Sequence, residues 1–349
     1  MRPPLPAQDL ELVLQYSPEF LSRFHGARIL LTGGTGFIGL WLLEALQHAN
    51  RQLDADLRMV VLTRDPNRAR RQAPHLFNRA DTQLVCGNIC QPLAPVGPLD
   101  LCIHAATDVG DSLAAANPLA VFDSIVQGTR NVLDLASSGG ASRFLLTSSG
   151  AVYGKQPANL ELMSEDHCGA ADPLQPQAAY GNGKRAAEWL ASTCAVQGGL
   201  EACMARIFAV VGPGLSFDGP LAAGNFVRDV LAGQPIYIEG DGRPLRSYLY
   251  MADLCIWLLR IAASGQSGRA YNVGSEHAVS ISELAGKVAH AAGRTTPIRI
   301  HKPASSPALP PRYVPDTRRA RDELGLAEYT PLHEALLKTV HWSRSAAVL

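Results

Sequence analysis

The chain has 349 residues, 47% of them apolar, enough to bury a large core in one large or two closely joined domains. Its 31 basic residues balance its 31 acidic ones, and a net charge of zero gives no sign of a nucleic-acid or acidic-membrane partner. No apolar run approaches the roughly 18 residues of a membrane span. The start "MRPPLPAQDL" has no apolar stretch behind a basic leader, so a cytoplasmic protein is expected, with no membrane partner.

Cys86, Cys90, Cys102, Cys168, Cys194, Cys203 and Cys255 are odd in number and form no Cys-x-x-Cys pair, which favours reduced thiols over disulfides or zinc. His25, His48, His75, His167, His277, His290, His301, His333 and His341 have no metal-ligand spacing, and no metal is expected.

Residues 1–26 read as a helical extension, in which Leu10, Val13, Leu14, Phe20, Leu21 and Phe24 make an amphipathic pattern broken at Ser17-Pro18. From 27 to 206 strand and helix patterns alternate. The strands are "RILLT", "RMVVLT", "TQLVCGNI", "LDLCIHAA", "RFLLTSS" and "EACMARIF"; helices are predicted to about Gln47, through "NRARRQ", near 118 to 137 and from Tyr180 to about Gln197. This alternation predicts an α/β fold with a doubly wound parallel sheet. From 207 to 349 the pattern loosens at Gly212, Pro213, Gly214, Gly219 and Pro220. Short strands ("PIYIEG", "PIRIHK") then mix with helices near 225 to 232, 253 to 263, 281 to 292 and 331 to 344. A smaller, partly interleaved α/β domain is expected here, with some segments returning to the first. "KPASSPALPP" reads as a proline-stiffened loop.

In "RILLTGGTGFIGLWLLEAL" a buried strand runs through Gly33, Gly36 and Gly39 into a helix. The first glycine permits the bend, the second lets backbone approach a pyrophosphate, and the third lets the helix lie against the strand. Phe37 and Ile38 complete a helix start whose N–H groups and dipole favour an anion. The second strand ends "VVLTRDP". There Thr63 and Arg64 stand where a carboxylate usually reads the ribose of NAD, and a guanidinium at Arg64 suits a 2′-phosphate. NADP is therefore favoured, and NAD is the alternative if Asp65 meets the ribose instead.

In "AAYGNGKRAAEWL", Tyr180 and Lys184 are four apart and share a helix face, so the lysine's charge would lower the tyrosine pKa toward an acid/base range. "FLLTSSGAVYG" ends another strand with two serines, at the sheet edge where ligands bind. Taken together, "TGGTGFIG", "HAA" at 104 to 106, "SSGAVYG" and "YGNGK" resemble the extended short-chain dehydrogenase/reductase family, in its nucleotide-sugar epimerase/dehydratase branch, from about Arg28 to Arg344.

The resemblance implies a Rossmann sheet, a homodimer and a nucleotide-sugar substrate. It makes Ser149 the hydroxyl donor to the sugar, Tyr180 the acid/base, and Lys184 the group that binds the nicotinamide ribose. It places Asn88 and Ile89 at the adenine, Ala105 and Ala106 under the cofactor, and His104 in a structural role. It gives the substrate Asn225 and Arg246 as diphosphate contacts, Tyr237 near the base, and Arg312 as a further phosphate candidate. Helices 118 to 137 and Tyr180 to Gln197 would pair across the two-fold axis through Ala120, Gly128, Ala186 and Ala187.

The chain departs from the family pattern in three places. Gly150 and Ala151 replace the Asp-Glu pair that dehydratases use for elimination, a gap that also weakens a decarboxylase assignment. Ile125 and Ala209 each replace an asparagine. The expected activity is hydride transfer at sugar carbon 4 by a 4-epimerase or a 4-ketoreductase. The alternatives are an alcohol dehydrogenase acting on a hydrophobic ketone, which Asn225 and Arg246 argue against, and a non-catalytic cofactor sensor, which would have no need of Tyr180 and Lys184.

Overall fold

Strand β1 (Arg28–Thr32) is apolar on both faces because both are covered: Ile29, Leu30 and Leu31 are fully buried. It lies inside a seven-stranded sheet, seen here in a computed structural model that describes residues 2–107, 117–219, 221–293, 295–302 and 308–346. With β2 (Arg58–Thr63), β3 (Thr82–Cys86), β4 (Leu101–His104), β5 (Arg143–Ser149), β6 (Glu201–Ile207) and β11 (Ala270–Val273), the order is β11-β6-β5-β4-β1-β2-β3. Every pairing is parallel. The chain reverses direction across the sheet between β1 and β4, and the ends of these two strands form the crevice where such sheets bind ligands.

One apolar core joins α3 (Phe37–Leu53) to the N-terminal helices α1 (Ala7–Gln15) and α2 (Pro18–Arg23) and to α9 (Met251–Ser264). The other lies under α6 (Pro118–Ser138) and α7 (Ala179–Gln197) on the opposite face. Burial on both faces is what the continuous apolar strands require. The N-terminal extension is anchored through buried Asp9, whose carboxylate accepts from the Tyr250 hydroxyl at 2.6 Å and from Lys338 Nζ at 2.7 Å.

β11 lies beyond residue 206 yet extends the main sheet beside β6. The other late strands are short. β7 (Val210–Val211) pairs with β10 (Leu249–Tyr250), and β8 (Ile236–Ile238) pairs with β13 (Ile298–Ile300). β9 (Leu245–Arg246) lies between β12 (Val279–Ser280) and β14 (Arg312–Tyr313). Together with α8 (Ala222–Leu231) and α10 (Ile281–Ala291) these segments roof the carboxyl edge of the big sheet. Part of the expected loop "KPASSPALPP", residues 303–307, lies outside the described residues, as does Pro220.

α6 and α7 pack on each other within the chain, and this corrects the expected outer face at Gly128 and Ala187, while Ala120 and Ala186 stay partly exposed. Gly128 and Ala187 are buried, Gly128 because a Cβ there would meet the Ile89 side chain at 2.7 Å. Ile125 fills the contact with α7 against Gly183, where an added Cβ would come within 3.1 Å of it. The large outward apolar residues on these helices are instead Leu119, Trp189 and Val196, 76%, 65% and 83% exposed. Among the described residues no helix is long and apolar enough to cross a membrane, no disulfide forms, and no cluster of metal-ligating side chains occurs.

Candidate active site

The turn after β1 is a backbone cradle that only glycine fits. Gly33 has φ +70°, and a Cβ there would lie 2.5 Å from the Ala105 carbonyl. At Gly39 a Cβ would lie 2.2 Å from the Gly33 carbonyl oxygen. Gly36 is different: it caps α3 with no side chain and meets only the Gly33 oxygen at 3.3 Å, so its outer side faces the cleft. The first N–H groups of α3 therefore point at a crevice walled by Ala105 and Ala106, a fit to a dinucleotide pyrophosphate.

That crevice continues as a cleft of about 450 Å³ past Thr63, Arg64, Asp65, Arg68, Asn88 and Ile89. Asp65 caps α4 (Pro66–Gln72), accepting the Arg68 backbone N–H at 2.8 Å. Its carboxylate is engaged in local structure, while two arginines, Arg64 and the unforeseen Arg68, line the same cleft. Asn88 Oδ1 accepts from the Cys90 N–H at 3.0 Å, which bends the loop beyond β3.

A second cavity of about 550 Å³ adjoins the first at Gly33, Gly36, Ala105 and Thr107. It contains Phe37, Ile38 and Gly39 from the turn and Ser149, Tyr180 and Lys184. Ser149 ends β5, and its hydroxyl accepts the Ala151 N–H at 3.2 Å, closing a short 3-10 turn over Gly150–Tyr153. Lys184 Nζ donates to the Thr147 carbonyl at 2.7 Å and to the Thr107 hydroxyl at 2.8 Å. It also lies 5.9 Å from the centre of the Tyr180 ring.

Burial pulls the Lys184 amine down to about 8, against a smaller opposing pull from Glu188. Burial also holds the Tyr180 phenol above its ordinary value, with the Ser149 hydroxyl acting in the other direction. The expectation that Lys184 lowers the Tyr180 pKa is thus not met in this geometry, because the ammonium is turned to Thr147 and Thr107. His104 is structural, as expected: its ring is buried between the Thr32 and Thr129 hydroxyls, at 2.7 and 3.2 Å. Burial first, then Lys184, depresses its pKa to about 3.

Ser148 faces away from the cavity's reacting groups into a buried ion pair. Its hydroxyl donates to Glu188 Oε1 at 2.5 Å, and Arg206 Nη2 holds Glu188 Oε2 at 2.7 Å. Arg206 also donates to the Tyr153 hydroxyl at 2.9 Å, which donates to Asn272 Oδ1 at 2.7 Å. This network braces the end of β5 against α7 and β11.

The far wall brings in Arg246 and Tyr313, side by side in the parallel β9–β14 register, with Tyr248 and Ala209. The Arg246 guanidinium sits 5.8 Å from the Tyr313 ring centre. Three expected substrate residues do not line this cavity. Arg312 precedes Tyr313 on a strand, so alternation turns it to the opposite side. Tyr237 is the outward residue of β8, 49% exposed between buried Ile236 and Ile238. Asn225 is half-buried on α8, one turn beyond the lining residue Ala222. Thr107, Arg68 and Tyr313 carry no motif of their own, and only their neighbours in sequence signal them.

The family model "NAD dependent epimerase/dehydratase family" matches residues 29–274. UDP-glucuronic acid decarboxylase 1 of Xenopus tropicalis is 30% identical over 340 residues, covering 97% of this chain and 77% of that protein. Its Danio rerio counterpart is 29% identical over 335 residues, covering 96% and 77%. Among solved structures, DesIV, a dTDP-glucose 4,6-dehydratase from Streptomyces venezuelae with NAD and TYD bound, is 25% identical with a TM-score of 0.76, covering 91% of this chain and 97% of that one. MoeE5 in complex with UDP-glucuronic acid and NAD is 26% identical with a TM-score of 0.74, covering 91% and 99%.

Proposed function

The chain belongs to the NAD-dependent epimerase/dehydratase family of enzymes, and on that premise we propose that it moves a hydride at carbon 4 of a UDP-linked hexose or hexuronic acid, as a 4-epimerase or 4-ketoreductase. The observation that carries this reading is the composition of the reaction cavity. Among the described residues its lining includes the hydroxyls of Ser149, Tyr180 and Tyr313 and the cations Lys184 and Arg246, and no carboxylate. Hydroxyls and a lysine suffice to pass one proton at a sugar oxygen. Elimination of water across two carbons needs a further acid and base, and Gly150 and Ala151 supply neither.

A nicotinamide dinucleotide, when bound, supplies the hydride acceptor and donor. Tyr180 takes the proton of the sugar hydroxyl and returns it. Ser149 donates to the same oxygen, stabilising the charge that develops there. Lys184 binds the nicotinamide ribose, and Arg246 meets the diphosphate. Gly33, Gly36, Phe37, Ile38 and Gly39 seat the pyrophosphate, with Ala105 and Ala106 beneath it and Asn88 and Ile89 at the adenine. We assign the 2′-phosphate of NADP to Arg64 and Arg68, with NAD as the alternative that the NAD-bound structural relatives favour. Asn225, Tyr237 and Arg312 remain substrate contacts only if the second region closes further on the ligand. The working unit is a homodimer.

A second reading follows from the named relatives: oxidation of UDP-glucuronic acid at carbon 4 followed by loss of carbon dioxide. One experiment separates the readings. UDP-glucose, UDP-glucuronic acid, dTDP-glucose and a 4-keto sugar nucleotide are each incubated with NAD, NADP or NADPH, and products are resolved by mass and by NMR at carbon 4. Inversion, or cofactor-consuming reduction of the ketone, supports the proposal. Loss of carbon dioxide selects the second reading, and loss of water overturns both. In the same assay Tyr180→Phe should lower turnover by about two orders of magnitude with cofactor binding little changed, and Ser149→Ala should cost less.

A further inference from the structure

Thr107 lies just beyond β4, where the cofactor cleft opens into the reaction cavity. Among the described residues the two spaces share Gly33, Gly36, Ala105 and Thr107, and of these only Thr107 has a polar side chain. A dinucleotide whose pyrophosphate rests on the glycine turn and whose nicotinamide reaches Tyr180 has to pass this junction. The Thr107 hydroxyl already has a direction. Its proton goes to the Ala106 carbonyl at 2.8 Å, so toward any other group the oxygen offers lone pairs only.

Lys184 Nζ donates to that oxygen at 2.8 Å and to the Thr147 carbonyl at 2.7 Å, and these are its hydrogen-bond acceptors among the described residues. The ammonium therefore spans the ends of two adjacent strands, β4 and β5. One acceptor alone would let the amine swing on its flexible four-carbon stem. Two acceptors on different strand ends fix it, and because an ammonium has three N–H groups, the third is left with a set direction.

We propose that Thr107 is a positioning residue for Lys184, accepting from the ammonium at the junction of the two cavities so that its third N–H is held ready for a hydroxyl of the nicotinamide ribose. The inference rests on the reading of Lys184 as the group that binds that ribose. The titratable groups around the amine are His104 at the end of β4 and Tyr180 and Glu188 on α7. Burial keeps His104 neutral, Glu188 is held by Ser148 and Arg206, and the Tyr180 ring centre is 5.9 Å away. None of the three is a hydrogen-bond partner of the ammonium, which leaves its placement to Thr107 and Thr147.

The test reads Lys184 first and the cofactor second, and it uses no turnover. The full chain is labelled with 13Cε-lysine, and loss of a resonance in Lys184→Met separates its signal from those of Lys155, Lys287, Lys302 and Lys338. Its titration midpoint is measured without cofactor in the wild type, Thr107→Val and Thr107→Ser. Isothermal titration then measures NAD and NADP binding to the same proteins and to Lys184→Met. Thr107 is half-buried, so valine keeps its shape while removing the hydroxyl. Melting temperature checks folding, and Thr107→Ala takes the place of valine if that variant unfolds.

Thr107→Val should lower the Lys184 midpoint by about half a pH unit or more, because losing an acceptor disfavours the charged amine, and should weaken the preferred cofactor about five-fold or more. Thr107→Ser should restore both. A hydroxyl that only braces its own loop would change the melting temperature and leave the Lys184 midpoint where it is, which overturns the proposal, as does a raised midpoint. Cofactor binding that is unchanged or tighter in Thr107→Val while Lys184→Met weakens it overturns the proposal alone, and so does a serine variant that behaves like valine. A Lys184→Met variant that binds both cofactors as the wild type does removes the ribose reading itself, and the proposal with it.

Discussion

Lys184 and Glu188 stand one turn apart on α7, yet the two charges are spoken for by different partners: Glu188 faces Arg206 and Ser148, and Lys184 faces the Thr147 carbonyl. Among the described residues no carboxylate contacts the ammonium, and burial lowers its pKa to about 8 from an ordinary 10.5. A lowered amine pKa means that the folded state bears the cost of the buried charge below about pH 8. Between there and 10.5 the unfolded chain binds more protons, so stability rises with pH. Relative to Lys184→Met, the wild type should gain on the order of 2–3 kcal/mol between pH 7.5 and 10.5, read from denaturant midpoints. A difference that stays flat would place the lysine in contact with water or a carboxylate.

His104 gives the opposite end of the pH range. Its pKa of about 3 lies below the ordinary 6.5, so the folded state excludes a proton that the unfolded chain takes up. The stability it contributes is complete above about 6.5 and is lost as pH falls toward 3. Against His104→Asn, the wild type should lose roughly 1.4 kcal/mol per pH unit through this window. Urea unfolding at pH 7, 6 and 5 checks it; equal pH dependence in both proteins would mean that the ring protonates without leaving its site.

The α6–α7 face bears on assembly. Leu119 on α6 and Trp189 on α7 are both exposed to solvent, and an aromatic residue so exposed is the kind of anchor an interface buries. A homodimer is expected by light scattering at micromolar concentration, with Trp189→Glu shifting it to monomer while the melting curve stays cooperative. A wild-type monomer, or a dimer indifferent to Trp189→Glu, would put the interface elsewhere.

How much of this was legible in the sequence depends on how each residue reaches the site. Gly33, Gly36 and Gly39 lie within one strand–turn–helix, and Tyr180 and Lys184 lie within one helix turn, so local spacing alone brings them together. Ser149 follows from the alternation, since it ends a buried parallel strand at the ligand edge. Tyr313 reaches the site only through the pairing of β14 with β9, and no local pattern announces a two-residue strand. The same pairing explains the misplacement of Arg312: its sequence neighbourhood was right, but the two-residue period of a strand gives the cavity to Tyr313 and not to Arg312. The small residues Gly128 and Ala187 read in the sequence as an outer face because close approach between helices looks alike within a subunit and between subunits.

The cofactor assignment turns on the end of β2. Among the described residues lining the cleft, Asp65 is the only carboxylate, and it is occupied as the α4 cap. If the two guanidiniums receive a 2′-phosphate, Arg64→Ala should weaken NADP(H) by about 1.5–3 kcal/mol and leave NAD(H) nearly unchanged, a ten- to hundred-fold loss of preference by roughly the same conversion. Arg68→Ala should act in the same direction and more weakly, since an exposed second cation adds charge rather than a fork of its own. Isothermal titration with both cofactors, at low and physiological salt, measures each term. A wild type that prefers NAD, or an Arg64→Ala loss that is equal for both cofactors, would assign the ribose hydroxyls to Thr63 or Asp65. A ketoreductase, which must exchange its cofactor every turnover, would then lose its main support, and an epimerase that retains NAD would become the better description of this site.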